Sequence, residues 1–262
     1  MKKILLSVLL LFTCSLRLRA TEIVVAAASD LNFLLKEIVA QFERQTGHKV
    51  KLSLGSSGTF HAQITNGAPF DVFLSADITY PRELEKAGLT EPNSLFIYAV
   101  GRAVIWVPKS SSIDVAKLGM QSLLDPSVRK IAIANPQHAP YGRAAVSSMQ
   151  HFKVYDAVKS KLVLGENVSQ AAQFVESGAA DIGIIALSLA RSDAMQSAGK
   201  YWEIPLETYP RMDQAGVILK QARKADHLDA ARAFMDTLRS TQGRAVLERY
   251  GFSLLKSGET VR

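Results

Sequence analysis

Hydrophobic and polar positions along the chain predict an alternation of strands and helices. The apolar run of "EIVVAAASD" predicts a buried strand over residues 22–27, and a helix with Gly47 as its stop signal is expected to follow. "KVKLSLG" predicts the next strand, a helix is expected over residues 57–65, and the continuous apolar stretch of "FDVFLSAD" is typical of a parallel strand covered on both faces. Alternation of this kind implies a right-handed parallel α/β layer.

The pattern changes in "LFIYAVGRAVIWVPK", where only Gly101 and Arg102 separate two apolar runs. There is no room for a crossover helix, so we interpret this segment as the passage of the chain into a second lobe. Alternation restarts with "KIAIANP" and continues to "ADIGIIALS"; the strand "AGVILK" and the amphipathic helix "DHLDAARAFMDTLRS" then return to the first lobe. The predicted fold class is a two-lobed α/β fold, with a mostly parallel sheet and flanking helices in each lobe and two hinge crossings. Its predicted divisions are residues 21–100 and 212–262 for lobe 1 and residues 101–211 for lobe 2.

A weak internal similarity favours two lobes of the same construction. "QITNGAPFDVFLSAD" (residues 63–77) and "FVESGAADIGIIALS" (residues 174–188) both run from a helix end through a Gly-Ala turn and an Asp into an apolar strand. Any two strand–helix–strand units can look alike in this way, so the similarity leaves both explanations open.

The first twenty residues have the layout of a secretory signal peptide. Lys2 and Lys3 precede an apolar run of about a dozen residues, which is too short to span a bilayer as a helix, and Ala20 offers a cleavage point. We predict that residues 1–20 direct export to the periplasm. Lipid anchoring at Cys14 is not expected, because "LFTC" lacks the small residues that such a site needs.

Removal of this segment changes the charge of the protein. The segment holds four of the 31 Lys and Arg residues and no acid, so 27 bases remain against 24 acids, a net charge of +3. This balance does not indicate nucleic-acid binding. The only cysteine leaves with the segment, so stability must come from the core, which a 48% hydrophobic composition can supply.

Four short segments place small or polar residues between a strand end and a helix start. In a parallel α/β lobe such segments lie on one edge of the sheet, and two lobes that face each other would bring all four together. Helix N-termini bind anions without any Lys or Arg, and only Arg143, inside its helix, adds a cation. Taken singly, each segment is better explained by ordinary helix capping by Ser, Asn or Asp, and only the four together favour an anion site. The segments are "AAASDL" around Ser29, "GSSGT" around Ser57, "NPQHAPYG" around Tyr141 and "GENVSQ" around Val168.

These motifs, with "NGAPFDVFLSAD", "GAADIGIIALS" and the ending "LERYGF", resemble the periplasmic molybdate-binding proteins of ABC importers over essentially the whole chain after the leader. The resemblance implies a type II periplasmic binding fold, a molybdate or tungstate ion bound between the lobes, and delivery to membrane permease subunits. It implies a monomer without a cofactor, without direct ligands to the metal and without catalytic residues. It assigns hydroxyl and N–H donors to Ser29 and Ser57, and backbone N–H donors to Tyr141 and Val168.

Several residues near these segments need separate expectations. Some members of the family have a tyrosine, bonded to the oxyanion, where this chain has Ala186, so that contact is expected to be absent, with Tyr141 as a partial substitute. Asp30 is expected to point away from the dianion and cap the following helix, because a carboxylate would repel the ligand. Gly58 is expected to let the backbone approach the ligand, and Ser56 to act mainly as a cap.

A site lined only by N–H and O–H donors favours a fully deprotonated tetrahedral anion over monohydrogen phosphate, whose own O–H would lack an acceptor. Sulfate is also an acceptor on every oxygen, so another oxyanion is the alternative ligand. An esterase-like enzyme is a weaker alternative: "GSSGT" fails the G-x-S-x-G pattern, and only Ser57, His138 and Asp30 could form a triad. No His or Cys pair has metal-ligand spacing. An effector-sensing domain of a transcription factor is disfavoured by the leader and by the lack of a helix-turn-helix segment.

Overall fold

The computed structural model describes residues 20–255 and contains two five-stranded sheets. The strand order is β2-β1-β3-β10-β4 in the first sheet and β7-β6-β8-β5-β9 in the second. The strands are β1 (Glu22–Ala28), β2 (Lys49–Gly55), β3 (Val72–Ser75), β4 (Phe96–Gly101), β5 (Ala103–Pro108), β6 (Ile131–Ala134), β7 (Leu162–Gly165), β8 (Ile182–Ala186), β9 (Gly199–Glu203) and β10 (Met212–Ile218).

Helices flank both sheets. The α-helices are α1 (Asn32–Thr46), α2 (Ser57–Thr65), α3 (Thr79–Lys86), α4 (Val115–Leu118), α5 (Pro140–His151), α6 (Tyr155–Val158), α7 (Val168–Glu176), α8 (Leu187–Ala190), α9 (Asp193–Ala198), α10 (Lys220–Lys224), α11 (Leu228–Arg239) and α12 (Thr241–Arg249). Short 3-10 turns are formed by Ser29–Leu31, Gly119–Leu124, Lys159–Lys161 and Leu206–Thr208. No helix within the described range is long and apolar enough to span a bilayer. The predicted leader and Cys14 lie outside the described residues.

The predicted two-lobed α/β class is confirmed, and the two sheets share one topology. In each sheet three neighbouring strands are parallel, and the fourth is antiparallel to both of its neighbours. Four of the five strands therefore point the same way, although half of the pairings are antiparallel. The reversed strand is the one that the chain reaches on crossing: β5 follows β4 of the other sheet, and β10 follows β9. The internally similar segments supply β3 and β8, which occupy the same third position.

The two crossings lie side by side. Only Arg102 separates β4 from β5, whereas residues 204–211 connect β9 to β10. The backbone N–H of Ala103 donates to the Tyr209 hydroxyl at 3.1 Å, and the Arg102 guanidinium pairs with Glu203 at 2.5 Å. Two adjacent connections of this kind restrict relative motion of the sheets to a hinge.

The central strands of the first sheet are buried on both faces, which explains their continuous apolar runs. Along β1 and β3, alternate residues contribute to two different hydrophobic clusters: Val25 and Leu74 face α1 and α11, whereas Ala26 and Phe73 pack with α2. A larger cluster surrounds the second sheet, with Trp106 among its fully buried side chains. Period-2 alternation is absent where neither face meets water.

Candidate anion-binding site

A cavity lies where the carboxyl ends of β1, β2 and β3 meet the N-termini of α5 and α7 from the other lobe. The space there that protein atoms do not occupy, part of which is open to solvent, is about 190 Å³. All four sequence-predicted site residues line it, and each side chain is almost fully buried. The structure thus brings four distant segments to one point. The lining residues are Ala28, Ser29, Asp30, Gly55, Ser56, Ser57, Ala76, Ala139, Pro140, Tyr141 and Val168.

The first lobe contributes two serines. Ser29 opens the 3-10 turn after β1, and its Oγ accepts a hydrogen bond from the backbone N–H of Ser169 in the other lobe at 3.3 Å. Ser57 is the first residue of α2, and its Oγ accepts from the backbone N–H of Ala76 at 2.9 Å. Both hydroxyls therefore keep their own hydrogen for a further acceptor. Ser56 is the N-cap of α2, as predicted, and its Oγ accepts from the backbone N–H of Thr59.

The second lobe contributes two helix starts. Pro140 and Tyr141 are the first two residues of α5, and Val168 is the first residue of α7, whose N-cap Asn167 accepts from the backbone N–H of Gln170. N–H groups in the first turn of a helix have no partner within the helix and carry a partial positive charge. The cavity therefore offers hydroxyl and N–H donors from both lobes.

Gly58 has a different role from the predicted one. It does not line the cavity; its backbone N–H donates to the carbonyl oxygen of His138 in the other lobe at 2.9 Å. A Cβ at this position would lie 2.7 Å from that oxygen and 2.8 Å from the Tyr80 hydroxyl. The absent side chain therefore permits lobe–lobe contact rather than ligand approach.

The prediction that Asp30 turns away to cap α1 is wrong. No side chain caps that helix; instead Asp30 lines the cavity, with only 1% of its surface exposed. Its Oδ2 accepts from the Tyr141 hydroxyl at 3.0 Å and from Gln214 Nε2 at 2.5 Å, whereas its Oδ1 has no hydrogen-bond partner. Burial raises the pKa of Asp30 to about 6, against the smaller opposing effect of these hydrogen bonds.

Gln214 is a residue that the sequence analysis missed. It is fully buried on β10, and its Oε1 accepts from the Tyr98 hydroxyl at 3.1 Å while its Nε2 holds Asp30. A Cβ on Gly101 would lie 2.6 Å from Gln214 Nε2 and from the Tyr141 hydroxyl, so the network needs glycine there. The signal that could have indicated Gln214 is the pair of polar residues Asp213 and Gln214 directly before the apolar run "AGVILK".

Tyr141 does not replace the family tyrosine in the way expected. Its hydroxyl hydrogen is used on Asp30, so its side chain is committed to the carboxylate. Ala186 lies at the buried end of β8 opposite Ala103 and is absent from the cavity wall. The N–H group of Tyr141 remains its possible contribution to a ligand.

The arrangement is not that of a hydrolase or a metal centre. His138 Nε2 is buried without a hydrogen-bond partner, and Ser57 and Asp30 are bonded to other groups, so the triad considered above is not assembled. Among residues 20–255, no three His, Cys, Asp or Glu side chains come together as metal ligands.

Two lobes that close on a cavity lined by neutral donors define a ligand-capturing protein, and the comparison with protein families agrees. Residues 23–253 match the model of the bacterial extracellular solute-binding proteins, and the chain belongs to this family. The prediction of a binding protein rather than an enzyme is confirmed.

The relatives within this family are specific, and the predicted resemblance to periplasmic molybdate-binding proteins is confirmed. The chain is 40% identical to the molybdate-binding protein ModA of Azotobacter vinelandii, over 90% of this chain and 91% of the relative. It is 36% identical to the ModA of Rhodobacter capsulatus, over 89% and 88% of the two chains. The solved periplasmic molybdate-binding protein of Azotobacter vinelandii superposes with a TM-score of 0.82 at 36% identity, covering 89% of this chain and all of that one.

Proposed function

We propose that this protein captures molybdate in the interlobe cavity and delivers it to the membrane permease subunits of an ABC importer. The observation that carries the proposal is the cavity that four strand-to-helix segments from both lobes surround with hydroxyl and N–H donors. The names of the relatives supply the identity of the ion. Tungstate, of the same charge and shape, is expected to bind as well.

In the proposed complex, Ser29 and Ser57 donate through their hydroxyl and backbone N–H groups, and Tyr141 and Val168 donate through backbone N–H groups. Molybdate at neutral pH accepts on every oxygen, so donors of this kind satisfy it. A hydrogen bond to a charged group contributes roughly 1.5–3 kcal/mol, which makes each of these donors significant for affinity.

Capture proceeds by closure. The ion binds to one lobe, the second lobe swings in about the two crossings, and the closed form docks on the permease. We take residues 21–100 and 212–262 as one lobe and residues 101–211 as the other. We also propose that residues 1–20 direct export to the periplasm and that the mature protein acts as a monomer.

Monohydrogen phosphate is a second candidate that one observation favours. The predicted donors offer no acceptor for its O–H, but Asp30 lines the cavity and its Oδ1 is a buried oxygen without a partner. An ionised Asp30 would accept that hydrogen. The two candidates therefore require opposite protonation states of the same side chain.

A thermal-shift series with molybdate, tungstate, sulfate and phosphate tests the proposal. A ligand at about a hundred times its Kd stabilises the native state by roughly 2.7 kcal/mol, which raises the Tm measurably. We expect molybdate and tungstate to raise the Tm at micromolar concentration. A rise with phosphate or sulfate and none with molybdate would overturn the assignment.

A further inference from the structure

We propose that Asp30 binds the oxyanion as a neutral carboxylic acid, so that capture of each molybdate dianion takes up one proton from solvent. The inference rests on the proposed function and concerns the same cavity. It gives a role to the one side chain in the wall that would otherwise repel the ligand.

Asp30 lines the cavity and has one carboxylate oxygen without a hydrogen-bond partner. Oδ2 already receives hydrogen bonds from Tyr141 and Gln214, whereas Oδ1 is buried without a partner. A carboxylate oxygen and a molybdate oxygen are both acceptors and cannot bond to each other. A proton on Oδ1 converts that repulsive contact into an O–H···O hydrogen bond, and Oδ2 keeps both of its donors.

The side chains packed around Asp30 do not change their protonation state, so Asp30 is the group among them that titrates. Tyr141 on α5 and Tyr98 on β4 have pKa values raised well above 10 by burial and by the nearby Asp30 charge, so both stay neutral. Gln214 on β10 and Ser188 on α8, whose hydroxyl donates to the Asp30 carbonyl oxygen at 2.7 Å, are uncharged.

The other charged side chains near the cleft form ion pairs or lie outside the hydrogen-bond network of Asp30. Arg143 is paired with Asp77, and Asp213, the neighbour of Gln214, is paired with Arg211. His138 directly precedes the N-cap of α5, so the experiment below includes a variant that removes its imidazole.

Proton uptake has a defined thermodynamic signature. With the lobes closed around it, burial raises the pKa of Asp30 to about 6, and a bound dianion favours the neutral acid further. Between the pKa values of the free and the loaded protein, the Kd for molybdate should rise about tenfold per pH unit. From about pH 6.5 to 8.5 this corresponds to a loss of affinity of up to roughly a hundredfold.

Isothermal titration of molybdate into the mature protein tests the inference. At about pH 7.5, titration in two buffers of different ionisation enthalpy counts the protons taken up, and we expect a value close to one. Asp30→Asn replaces the acid O–H with an amide N–H, so the Kd of this variant should be independent of pH and the proton count should fall to zero. His138→Gln is the matched control and should retain the pH slope of the unmodified protein.

The outcomes separate the two proposals. Tight molybdate binding without proton uptake, or a pH slope that persists in Asp30→Asn, overturns the role of Asp30 and leaves the proposed function standing. Absence of molybdate binding at every pH overturns both. Binding of phosphate that Asp30→Asn abolishes shows that Asp30 acts as an ionised acceptor, and this also overturns the inference. The buffer comparison uses the unmodified protein, so it decides the question even if a variant folds poorly.

Discussion

Arg143 on α5 of the second lobe lies 2.6 Å from the carboxylate of Asp77 in the first lobe, and it also donates to the Tyr80 hydroxyl at 3.0 Å. The pair bridges the cleft outside the cavity wall. The sole cation of the four predicted segments therefore bonds the two lobes to each other. It belongs to the closed form, because opening of the cleft separates its partners.

Arg143→Gln should favour the open form. Both side chains are partly exposed, 38% for Arg143 and 26% for Asp77, so solvent screens the pair and its contribution is about 0.2–1 kcal/mol. We expect the Kd for molybdate to rise about two- to fivefold, less so at high salt, as measured by titration calorimetry. Arg239→Gln, which removes an exposed pair with Asp236 on α11, is the control and should leave the Kd unchanged. Equal effects of both variants would contradict the role of the bridge.

Gly58→Ala should separate stability from affinity. Alanine has a higher helix propensity than glycine by about 1 kcal/mol, which offsets the displacement of the Tyr80 hydroxyl, 2.8 Å from the new Cβ in the same lobe, so the open protein should be about as stable as before. In the closed form the new methyl group would press on the His138 carbonyl oxygen, a backbone atom, at a cost of about 1–3 kcal/mol. We expect an unchanged Tm without ligand and a Kd roughly 5- to 100-fold weaker. An unchanged Kd would show that the lobes do not approach closely at this point.

Ser57→Ala should weaken molybdate binding by roughly 10- to 100-fold, because it removes a donor to a charged ligand. It also leaves the buried N–H of Ala76 without an acceptor, so the protein without ligand should lose about 1–3 kcal/mol of stability. Ser94→Ala is a matched control, since Ser94 Oγ accepts from the backbone N–H of Ile218 far from the cavity. It should cost similar stability and leave the Kd unaltered; a comparable loss of affinity in both variants would argue against a ligand contact at Ser57.

Ser29→Ala is the corresponding test on the other serine. Its Oγ accepts only a long bond from the Ser169 N–H, so the structural cost should be smaller than that of Ser57→Ala. We expect a similar loss of affinity with a nearly unchanged Tm in the absence of ligand. Titration calorimetry and unfolding curves on the same preparation check both parts. Unchanged affinity in both serine variants would place the ligand elsewhere.

Elements marked by an apolar run or a recognisable cap were predictable from the sequence, and short elements that are mostly polar were not. The helix expected over residues 57–65 is α2 with those bounds, because Ser56 is a recognisable cap. The edge strand β9, "GKYWE", and the short helix α3 carry no continuous apolar run, and neither was predicted from the sequence. Their formation depends on the neighbouring strand β5 and on packing against the sheet.

The candidate site also has a part that was predictable from the sequence and a part that was not. Convergence of Ser29, Ser57, Tyr141 and Val168 followed from the rule that parallel strands end at one edge, since each residue lies at a helix start. The bonding of Asp30 did not follow from any local pattern. Its partner Gln214 is 184 positions away and reaches it only because β10 returns beside β3.

Asp30→Asn should stabilise the folded protein, with its lobes closed around residue 30, at neutral pH. The pKa of Asp30 is about 6 in the folded state against an ordinary value of 3.8, because burial penalises the charge, so the folded state binds the proton more tightly. The protonated carboxyl stabilises the folded state fully below about pH 4, and this stabilisation is lost as the pH rises through about 6. The loss in the free energy of unfolding is ~3 kcal/mol. The asparagine variant has no such loss.

Urea unfolding of both proteins at about pH 4.5 and pH 8 measures this difference. The free energy of unfolding of Asp30→Asn should exceed that of the unmodified protein at pH 8 by more than at pH 4.5. Asp181→Asn is a control of opposite sign: hydrogen bonds from the backbone N–H groups of Lys130 and Arg129 outweigh burial and lower the pKa of Asp181, so its ionised form stabilises the fold. That variant should be less stable than the unmodified protein at pH 8. A pH-independent difference for Asp30→Asn would mean that the Asp30 carboxyl keeps an ordinary pKa in the fold.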